Sequence, residues 1–201
     1  VKAIAARNGL YASFMPKPLH DQSGNGLHVN MSLMRDGKNL FESPLTPDSE
    51  AGYFVAGILA HARELTAFCN PVPNSYARLG ANEAPLYISW SRQNRSQLVR
   101  LPSASGDLCR VELRGPDPAG NPYLVIGLIL AAGLDGIARK LPLAEPVNRN
   151  LFHPSAAVGL ESLPRTLREA ITVAAQSDFI AAELPLALQN KYFEYQTQLC
   201  H

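Results

Sequence analysis

The sequence predicts an α+β fold, with an antiparallel sheet packed against helices over about residues 1–140 and a helical part over about residues 141–201. Two observations lead to this prediction. Residues 86–91, 97–101 and 109–114 have strand-forming composition and are separated by polar or glycine-bearing turns, which favours antiparallel pairing. Long apolar segments with helical periodicity stand on either side of these strands. A chain of 201 residues can bury one good core, so a single domain is the default expectation.

The first elements of the chain are short. Residues 1–8 have the pattern of the last turns of a helix, and Gly9 occupies the position that follows a helix C-terminus. Residues 10–15 then predict a strand, which Pro16 and Pro18 would end. Because the chain begins within a helical pattern, we expect further sequence upstream.

A strand over residues 27–33 is predicted to follow the turn Gly24-Asn25-Gly26. Its alternation places His28, Asn30 and Ser32 on one face and apolar side chains on the other. The dipeptide Asp36-Gly37 then predicts a hairpin.

The apolar periodicity of residues 46–70 predicts a helix, with Thr46 as its N-cap and Pro47 as its first residue. A loop carrying residues 74–76 leads from this helix to the strands. A second helix, over about residues 123–139, is apolar enough to be buried on most faces. Its glycines would permit close packing: Gly127, Gly133 and Gly136.

The C-terminal part reads as helical from about Ser162, with breaks near Ser177 and Pro185. We find no internal repeat and no low-complexity segment in the sequence.

Bulk composition argues against some partners. The net charge is +1 and the pI is about 7.9, whereas nucleic-acid and membrane-surface proteins usually carry a strongly basic face. The longest uncharged apolar stretch, residues 122–134, is too short to span a membrane. Three widely spaced cysteines form no metal or disulfide pattern, which fits a reduced cytoplasm. We therefore expect a cytoplasmic protein without nucleic-acid or membrane partners.

The arginines are unevenly distributed. Six of the thirteen, and none of the lysines, lie between Arg78 and Arg114. Because a guanidinium matches carboxylate and phosphate oxygens bidentately, this cluster predicts recognition of a small anion. A period of two places Arg110, Glu112 and Arg114 on one strand face, where the two arginines would keep Glu112 ionised. An ionised carboxylate there suits a divalent cation, but a cross-strand charge ladder is an equal alternative.

Other candidates are open to two interpretations. His28, beside Asn30 and Ser32, could be a metal ligand or an ordinary hydrogen-bonded histidine. The turn before it could bring backbone N–H groups close to an anion or be a plain hairpin. Glu83 lies in a loop, where most glutamates are only solvated. The sequence contains no phosphate-binding loop of the G-x-x-x-x-G-K-[ST] type and no G-x-G-x-x-G fingerprint.

Taken in order, several short runs resemble the C-terminal catalytic region of the glutamine synthetase family. They extend from about Ala12 to Ile137, and as an ordered set they are more specific than any one motif. The matching runs are Phe14-Met15-Pro16-Lys17-Pro18, Ser23-Gly24-Asn25-Gly26-Leu27-His28, Asn74-Ser75-Tyr76-Ala77-Arg78-Leu79, Glu83-Ala84-Pro85, Asn94-Arg95-Ser96, Arg110-Val111-Glu112-Leu113-Arg114, Pro116-Asp117-Pro118, Asn121-Pro122-Tyr123-Leu124 and Ala132-Gly133-Leu134-Asp135-Gly136.

The resemblance implies an enzyme that joins ammonia to the γ-carboxylate of glutamate, using ATP and Mg²⁺ or Mn²⁺, through a γ-glutamyl phosphate. It implies that the metal is held by His28 and Glu112, and that catalysis involves Glu83 and Arg95. Glutamate would be bound by Ser23, Gly24, Arg78, Glu83 and Arg114. ATP would be contacted by Asn30, Ser32, Arg95 and Arg100. The complete protein would assemble as a homo-oligomer, a dodecamer of two hexameric rings.

The sequence also departs from the family pattern. Asn30 stands where the family usually has a second histidine, so the phosphate contact there is altered or lost. The segments from Arg78 to Glu83 and from Arg100 to Glu112 each look one residue short. Phe152 stands where regulated bacterial members carry an adenylylated tyrosine, so control by that modification is not expected.

The family also needs an E-x-E strand, further metal-binding glutamates and an N-terminal β-grasp domain, and this sequence contains none of them. We therefore expect this chain alone to be inactive and to form the C-terminal portion of a longer ligase. Two alternatives remain: a γ-glutamyl-polyamine ligase of the same superfamily, and a non-catalytic binding module that keeps the fold.

Overall fold

The computed structural model describes residues 1–200, without the Pro154 side chain. Its α-helices are α1 (Lys2–Arg7), α2 (Glu50–Ala60), α3 (Ala62–Cys69), α4 (Pro73–Arg78), α5 (Pro122–Arg139), α6 (Leu167–Ala175), α7 (Asp178–Glu183) and α8 (Leu186–Gln198). Its strands are β1 (Val29–Met31), β2 (Met34–Arg35), β3 (Lys38–Asn39), β4 (Trp90–Ser91), β5 (Val99–Arg100) and β6 (Val111–Leu113). The α+β class predicted from the sequence is confirmed.

A four-stranded sheet with the order β1-β6-β5-β4 forms the centre of the fold. Strand β6 pairs antiparallel with β1 on one side and with β5 on the other. The prediction of a wholly antiparallel sheet is wrong for one pair, because β4 and β5 run parallel. The strands are also shorter than predicted, since the chain bends away from the ladder soon after each short pairing.

The apolar side of the sheet faces a helical core. Val99, Val111 and Leu113 are buried there, as the alternation of β6 predicts. Helices α2 and α5 pack against each other beside this core at a point where both lack side chains. A Cβ atom added at Gly136 would lie 2.2 Å from the Tyr53 carbonyl oxygen and 2.6 Å from the Gly57 Cα. Glycine at this position therefore sets how closely the two helices approach.

Helix α5 is less buried than predicted. Its core face includes Val125, Leu128 and Ile129, whereas its other face exposes a row of apolar side chains: Tyr123, Ile126, Leu130 and Leu134. By length and composition it could cross a membrane, but one such helix is weak evidence for a span, and α5 packs on α2 as the core helices of globular proteins do. Gly133 meets Phe54 closely, while Gly127 has open space around it, so only part of the predicted glycine packing is present.

Near the N-terminus, α1 and the β2–β3 hairpin lie where the sequence places them. Asp36 and Gly37, both with positive φ, make the hairpin turn. The strand predicted over residues 10–15 is absent, and that segment follows an irregular path. No neighbouring strand is in place to supply hydrogen bonds to it within residues 1–200.

The helix predicted over residues 46–70 is two helices. Ser49 caps α2 by accepting a hydrogen bond from the Gly52 N–H at 3.0 Å, so Thr46 is not the N-cap. The chain breaks at His61, whose φ and ψ of −96° and 7° end α2 and begin α3. The predicted loop at residues 74–76 is also corrected, because these residues form part of α4.

The C-terminal helices begin later than expected. Residues 141–161 contain one 3₁₀ turn, Pro154–Ala157, and no α-helix, so the extension of the helical part to about residue 141 is wrong. The predicted breaks near Ser177 and Pro185 are present between α6, α7 and α8. Helix α6 packs against α3, and Ala170, Ala174 and Ile180 belong to the main core. His201 lies outside the described residues.

Candidate active site

The polar face of the sheet holds the predicted metal and ATP residues. The register pairs Glu112 with Asn30 on β1 and with Arg100 on β5, so the three side chains form one row across the sheet. His28, which precedes β1, points along the same face and meets Glu112. A period-two pattern in two separate strands could predict both halves of this row, but only the pairing register brings them together.

Glu112 is the centre of this row. It is 7% exposed and has three partners: Arg100 Nε to Oε2 at 2.8 Å, Arg114 Nη1 to Oε2 at 3.3 Å, and His28 Nδ1 to Oε1 at 3.1 Å. Burial alone would raise the pKa of Glu112, but Arg100 and Arg114 outweigh it and hold that pKa below its usual value. Glu112 is therefore a carboxylate at neutral pH.

The arginine pair around Glu112 differs from the predicted one. The alternation of β6 suggests Arg110 and Arg114, but Arg110 instead donates to Asn30 Oδ1 at 3.0 Å and to the Leu108 carbonyl at 3.0 Å. Arg100 takes its place from the neighbouring strand, because the register sets Arg100 opposite Glu112. Sequence alternation alone does not show such cross-strand partners.

His28 is suited to bind as a neutral ligand. Burial and the nearby charge of Arg114 lower its pKa, and together they outweigh the opposing effect of Glu112. About a third of its side chain, 34%, is exposed. With Glu112 it offers one imidazole nitrogen and carboxylate oxygens, donors that divalent cations accept. Within the described residues, however, no group of three or more His, Cys, Asp or Glu side chains gathers, so the donor set fits a metal in kind but not in number.

A cleft of about 180 Å³ opens beside this pair. It brings together all five predicted glutamate-binding residues from four separate segments of the chain. Its lining residues are Ser23, Gly24, Gly26, His28, Arg78, Asn82, Glu83, Ala84 and Arg114. Asn82 and Ala84 were not predicted from the sequence, although their position next to Glu83 in the same loop is a signal that could have suggested them.

Arg78 lies at the base of the cleft and is 3% exposed. It donates from Nη1 to the Gly115 carbonyl at 2.7 Å and from Nη2 to the Arg114 carbonyl at 3.1 Å. A Cβ atom added at Gly26 would lie 2.5 Å from its Nη2, which explains why the turn beside it has no side chain there. The guanidinium is thus fixed by backbone groups and placed against the glycine turn.

Arg114 forms the opposite wall and is 4% exposed. Its Nη1 reaches Glu112, and its Nη2 donates to the Glu83 carbonyl at 3.2 Å. Its buried Nε has no hydrogen-bond partner among the described residues. A buried donor without an acceptor is costly, so this N–H needs a partner that the described residues do not supply.

The loop from Gly80 to Ala84 covers one side of the cleft and carries Glu83. Asn82 and Glu83 both have positive φ, 41° and 53°, a backbone conformation that residues with a side chain rarely adopt. Gly80 N–H bonds to the Ala84 carbonyl at 3.2 Å, which closes the loop on itself. The exposed Glu83 carboxylate is therefore carried by a tight turn at the mouth of the cleft.

The predicted ATP residues are less closely grouped. Ser32 donates to the Cys109 carbonyl at 2.9 Å, and Asn30 accepts from Arg110, so both lie along the edge of the row formed with Glu112. Arg95 is exposed, and its positive charge is one of the effects that lower the pKa of Arg114. Arg95 and Arg100 therefore extend the positive region from the cleft along the sheet.

A second polar cluster lies away from this site and was not predicted. His61, with a side chain 8% exposed, bonds to Glu64 Oε1 through Nδ1 and to Asp135 Oδ2 through Nε2, both at 2.8 Å. The Phe179 ring stacks on it at 4.0 Å. Burial disfavours the charged imidazole, but the hydrogen bonds to the two carboxylates raise the pKa of His61 overall. The cluster ties the α2–α3 junction to α5 and α7.

Comparison with known proteins adds independent information. Residues 1–198 match the family described as glutamine synthetase, catalytic domain. The chain is 52% identical to a glutamine synthetase of Methanosarcina mazei, aligning 92% of this chain with 43% of that protein. It is 45% identical to glutamine synthetases of Staphylococcus aureus and Thermotoga maritima, aligning 96% of this chain with 45% and 46% of those proteins.

Solved structures also align with nearly the whole chain. A GmaS/ADP complex superposes with a TM-score of 0.87 at 36% identity, covering 98% of this chain and 47% of that one. GmaS without ligand superposes with a TM-score of 0.86 at 37% identity, covering 98% of this chain and 46% of that one. The chain thus spans less than half the length of these relatives.

Proposed function

Because the chain belongs to the glutamine synthetase catalytic-domain family, a family of ligases, we propose that it supplies one part of an ATP-dependent glutamate–ammonia ligase site. The cleft between Arg78 and Arg114 supports this proposal most strongly. It is lined by the buried guanidinium groups of both arginines and by His28, which bonds to Glu112. Glutamate, which carries two carboxylates and needs its γ-carboxylate activated, suits such a cleft.

The proposed reaction has two steps. A γ-carboxylate oxygen of glutamate attacks the terminal phosphorus of ATP, the bond to the bridging oxygen breaks, and ADP leaves. Ammonia then attacks the acyl carbon of γ-glutamyl phosphate, and inorganic phosphate leaves to give glutamine. Positive charge around the transferring phosphoryl group and the exclusion of water are the two requirements of this chemistry.

The residues of this chain suit those requirements. Arg114 and Arg78 would orient the substrate carboxylates, and Arg95 and Arg100 would neutralise phosphate oxygens. Ser23 and Gly24 would allow the substrate to approach the backbone, while Asn30 and Ser32 would border the nucleotide. Glu83, on its loop over the cleft, would accept the proton that ammonium must lose before it attacks.

His28 and Glu112 would hold Mg²⁺ or Mn²⁺, which when bound would supply positive charge to the transferring phosphoryl group. Two donors are too few for a stable site, and further ligands would come from parts of the complete protein outside this chain. We therefore propose that the chain alone is inactive.

From the family resemblance we also propose that the complete protein is a cytoplasmic homo-oligomer, a dodecamer.

The test uses the complete protein with ATP, Mg²⁺, glutamate and hydroxylamine. Formation of γ-glutamyl hydroxamate is expected, and the isolated chain should form none. A complete protein that forms no hydroxamate refutes the ligase proposal. That result would favour a non-catalytic module that keeps the fold.

A second candidate differs only in the acceptor. An amine in place of ammonia, as in γ-glutamyl-polyamine ligases, would use the same cleft for glutamate, because activation of the γ-carboxylate is common to both reactions. Rates measured with ammonium and with putrescine as competing acceptors would decide between the two. A higher kcat/KM for ammonium supports the first proposal, and a higher value for the amine supports the second.

A further inference from the structure

Asn82 connects the Glu83 loop to the segment that carries Ser23 and Gly24. Its side-chain Nδ2 donates to the Gln22 carbonyl at 2.8 Å, joining residues 60 positions apart in the chain. Gln22 precedes Ser23 and Gly24, which line the other side of the same cleft. This contact therefore joins the two segments that flank the cleft.

The acceptor of this bond is held in place from below. The buried Lys17 ammonium also donates to the Gln22 carbonyl, and Lys17 is itself fastened to Asn74. The Lys17 N–H donates to Asn74 Oδ1 at 2.7 Å, and Asn74 Nδ2 donates to the Lys17 carbonyl at 3.0 Å. Asn74 belongs to α4, the helix that carries Arg78. The Gln22 carbonyl is thus a fixed point attached to the base of the cleft.

The loop itself is attached at two places. One is the Asn82–Gln22 bond, and the other is the bond from Arg114 Nη2 to the Glu83 carbonyl at 3.2 Å. The two attached residues, Asn82 and Glu83, both have positive φ, a backbone conformation that is unfavourable for most residues with a side chain. Asparagine tolerates this conformation better than most residues, so Asn82 suits the turn as well as the bond.

We propose that Asn82 is a positioning residue, which holds the Glu83 loop closed over the cleft by bonding to the Gln22 carbonyl. This inference rests on the proposed ligase function. Lys17 keeps the acceptor in place when the loop opens, so the loop can close again on the same point. While it is closed, γ-glutamyl phosphate is shielded from water, and the Glu83 carboxylate stays beside the acceptor amine.

Two variants separate the side-chain bond from the backbone conformation. Asn82→Gly accepts a positive φ freely but has no donor, and Asn82→Asp keeps the shape but also has no donor. If Asn82 serves only to form the turn, Asn82→Gly should behave as wild type. If the Asn82 side-chain amide is required, both variants should lose loop closure to the same extent.

The first measurement is hydrogen exchange of the Gly80 and Ala84 amides, both bonded within the loop, in the complete protein. Loss of one surface hydrogen bond should speed their exchange by about fivefold in both variants. The second measurement is the ratio of inorganic phosphate released to hydroxamate formed. It should rise in both variants, because an open loop admits water to the acyl phosphate.

If both variants exchange these amides at the wild-type rate, the proposal that Asn82 holds the loop closed is wrong. If exchange is faster but the ratio of phosphate to hydroxamate is unchanged, loop closure by Asn82 does not shield γ-glutamyl phosphate from water. If the wild-type protein forms no hydroxamate, the ligase proposal fails, whereas the exchange measurement still decides whether Asn82 holds the loop.

Discussion

Replacing Gly136 by alanine tests the close approach of α2 and α5 that shapes the helical core. The new Cβ would lie 2.2 Å from the Tyr53 carbonyl oxygen and 2.6 Å from the Gly57 Cα, where ordinary contacts begin at 3.4 Å. Both neighbours are backbone atoms, so no side chain can turn aside. The helices would have to separate by about 1 Å, which forfeits a quarter to a half of the dispersion energy at each lost contact.

The size of the effect follows from two opposing terms. Alanine improves helix propensity by about 1 kcal/mol, whereas overpacking of this kind costs about 1–3 kcal/mol or more. With backbone on both sides we expect the upper end and a net loss of about 2 kcal/mol. For a chain of this size that lowers Tm by roughly 4–8 °C. Gly127 on the same helix is a matched control, because its Cβ would meet nothing within 4 Å.

Thermal and urea unfolding, followed by circular dichroism, measure both variants against wild type. Gly127→Ala should raise the free energy of unfolding by about 0.5–1 kcal/mol, since only helix propensity changes. Gly136→Ala should lower it. Equal stabilities for the two variants, or a Gly136→Ala variant at least as stable as wild type, would refute the packing described for α2 and α5.

Two further predictions concern charged groups. Folding raises the pKa of His61 above about 6.5, its value in the unfolded chain. The ion pairs of His61 therefore stabilise the fold fully below about pH 6.5, and this stabilisation is lost as pH rises through the folded-state pKa. The stability difference between wild type and His61→Gln should therefore be about 1–3 kcal/mol larger at pH 6 than at pH 9, and equal differences in urea unfolding at the two values would contradict the ion pairs. Glu112→Gln in the complete protein should lower kcat by about 10² or more if Glu112 holds the metal as proposed, since the variant lacks that carboxylate. Near-normal turnover in the hydroxamate assay would contradict the proposed metal role of Glu112.

The sequence predicts well where local chemistry decides the structure. The Asp36-Gly37 hairpin, the helix predicted over about residues 123–139 and the inward-facing residues of β6 follow from turn residues, apolar helical composition and alternation. The breaks near Ser177 and Pro185 are of the same kind, since Ser177 caps α7 with a hydrogen bond to the Ile180 N–H.

The sequence predicts poorly where distant contacts decide. His61 breaks a continuous helical pattern, and its side chain bonds to Asp135, which lies 74 positions away. Arg100, rather than Arg110, pairs with Glu112 because of strand register, which no local pattern specifies. Residues 10–15 have the composition of a strand but no partner strand in the described part of the chain. In each case tertiary structure overrides a correct local preference.

Candidate site residues show the same division. The ordered motifs point to the segments that meet at the cleft, and the structure brings Ser23, Arg78 and Arg114 together there. The roles of these residues in catalysis remain predictions. Asn82 and its bond to Gln22 depend on a loop contact over 60 positions, for which the sequence offers no signal beyond proximity to Glu83.

In the proposed reaction, the complete protein activates the γ-carboxylate of glutamate by phosphorylation. Glutamate labelled with ¹⁸O in that carboxylate tests this step directly, since the oxygen that attacks phosphorus leaves with the phosphate when ammonia attacks the acyl carbon. With ATP, Mg²⁺ and ammonium, we expect one ¹⁸O atom in each inorganic phosphate released. Phosphate that carries no label, or no phosphate at all, would contradict it.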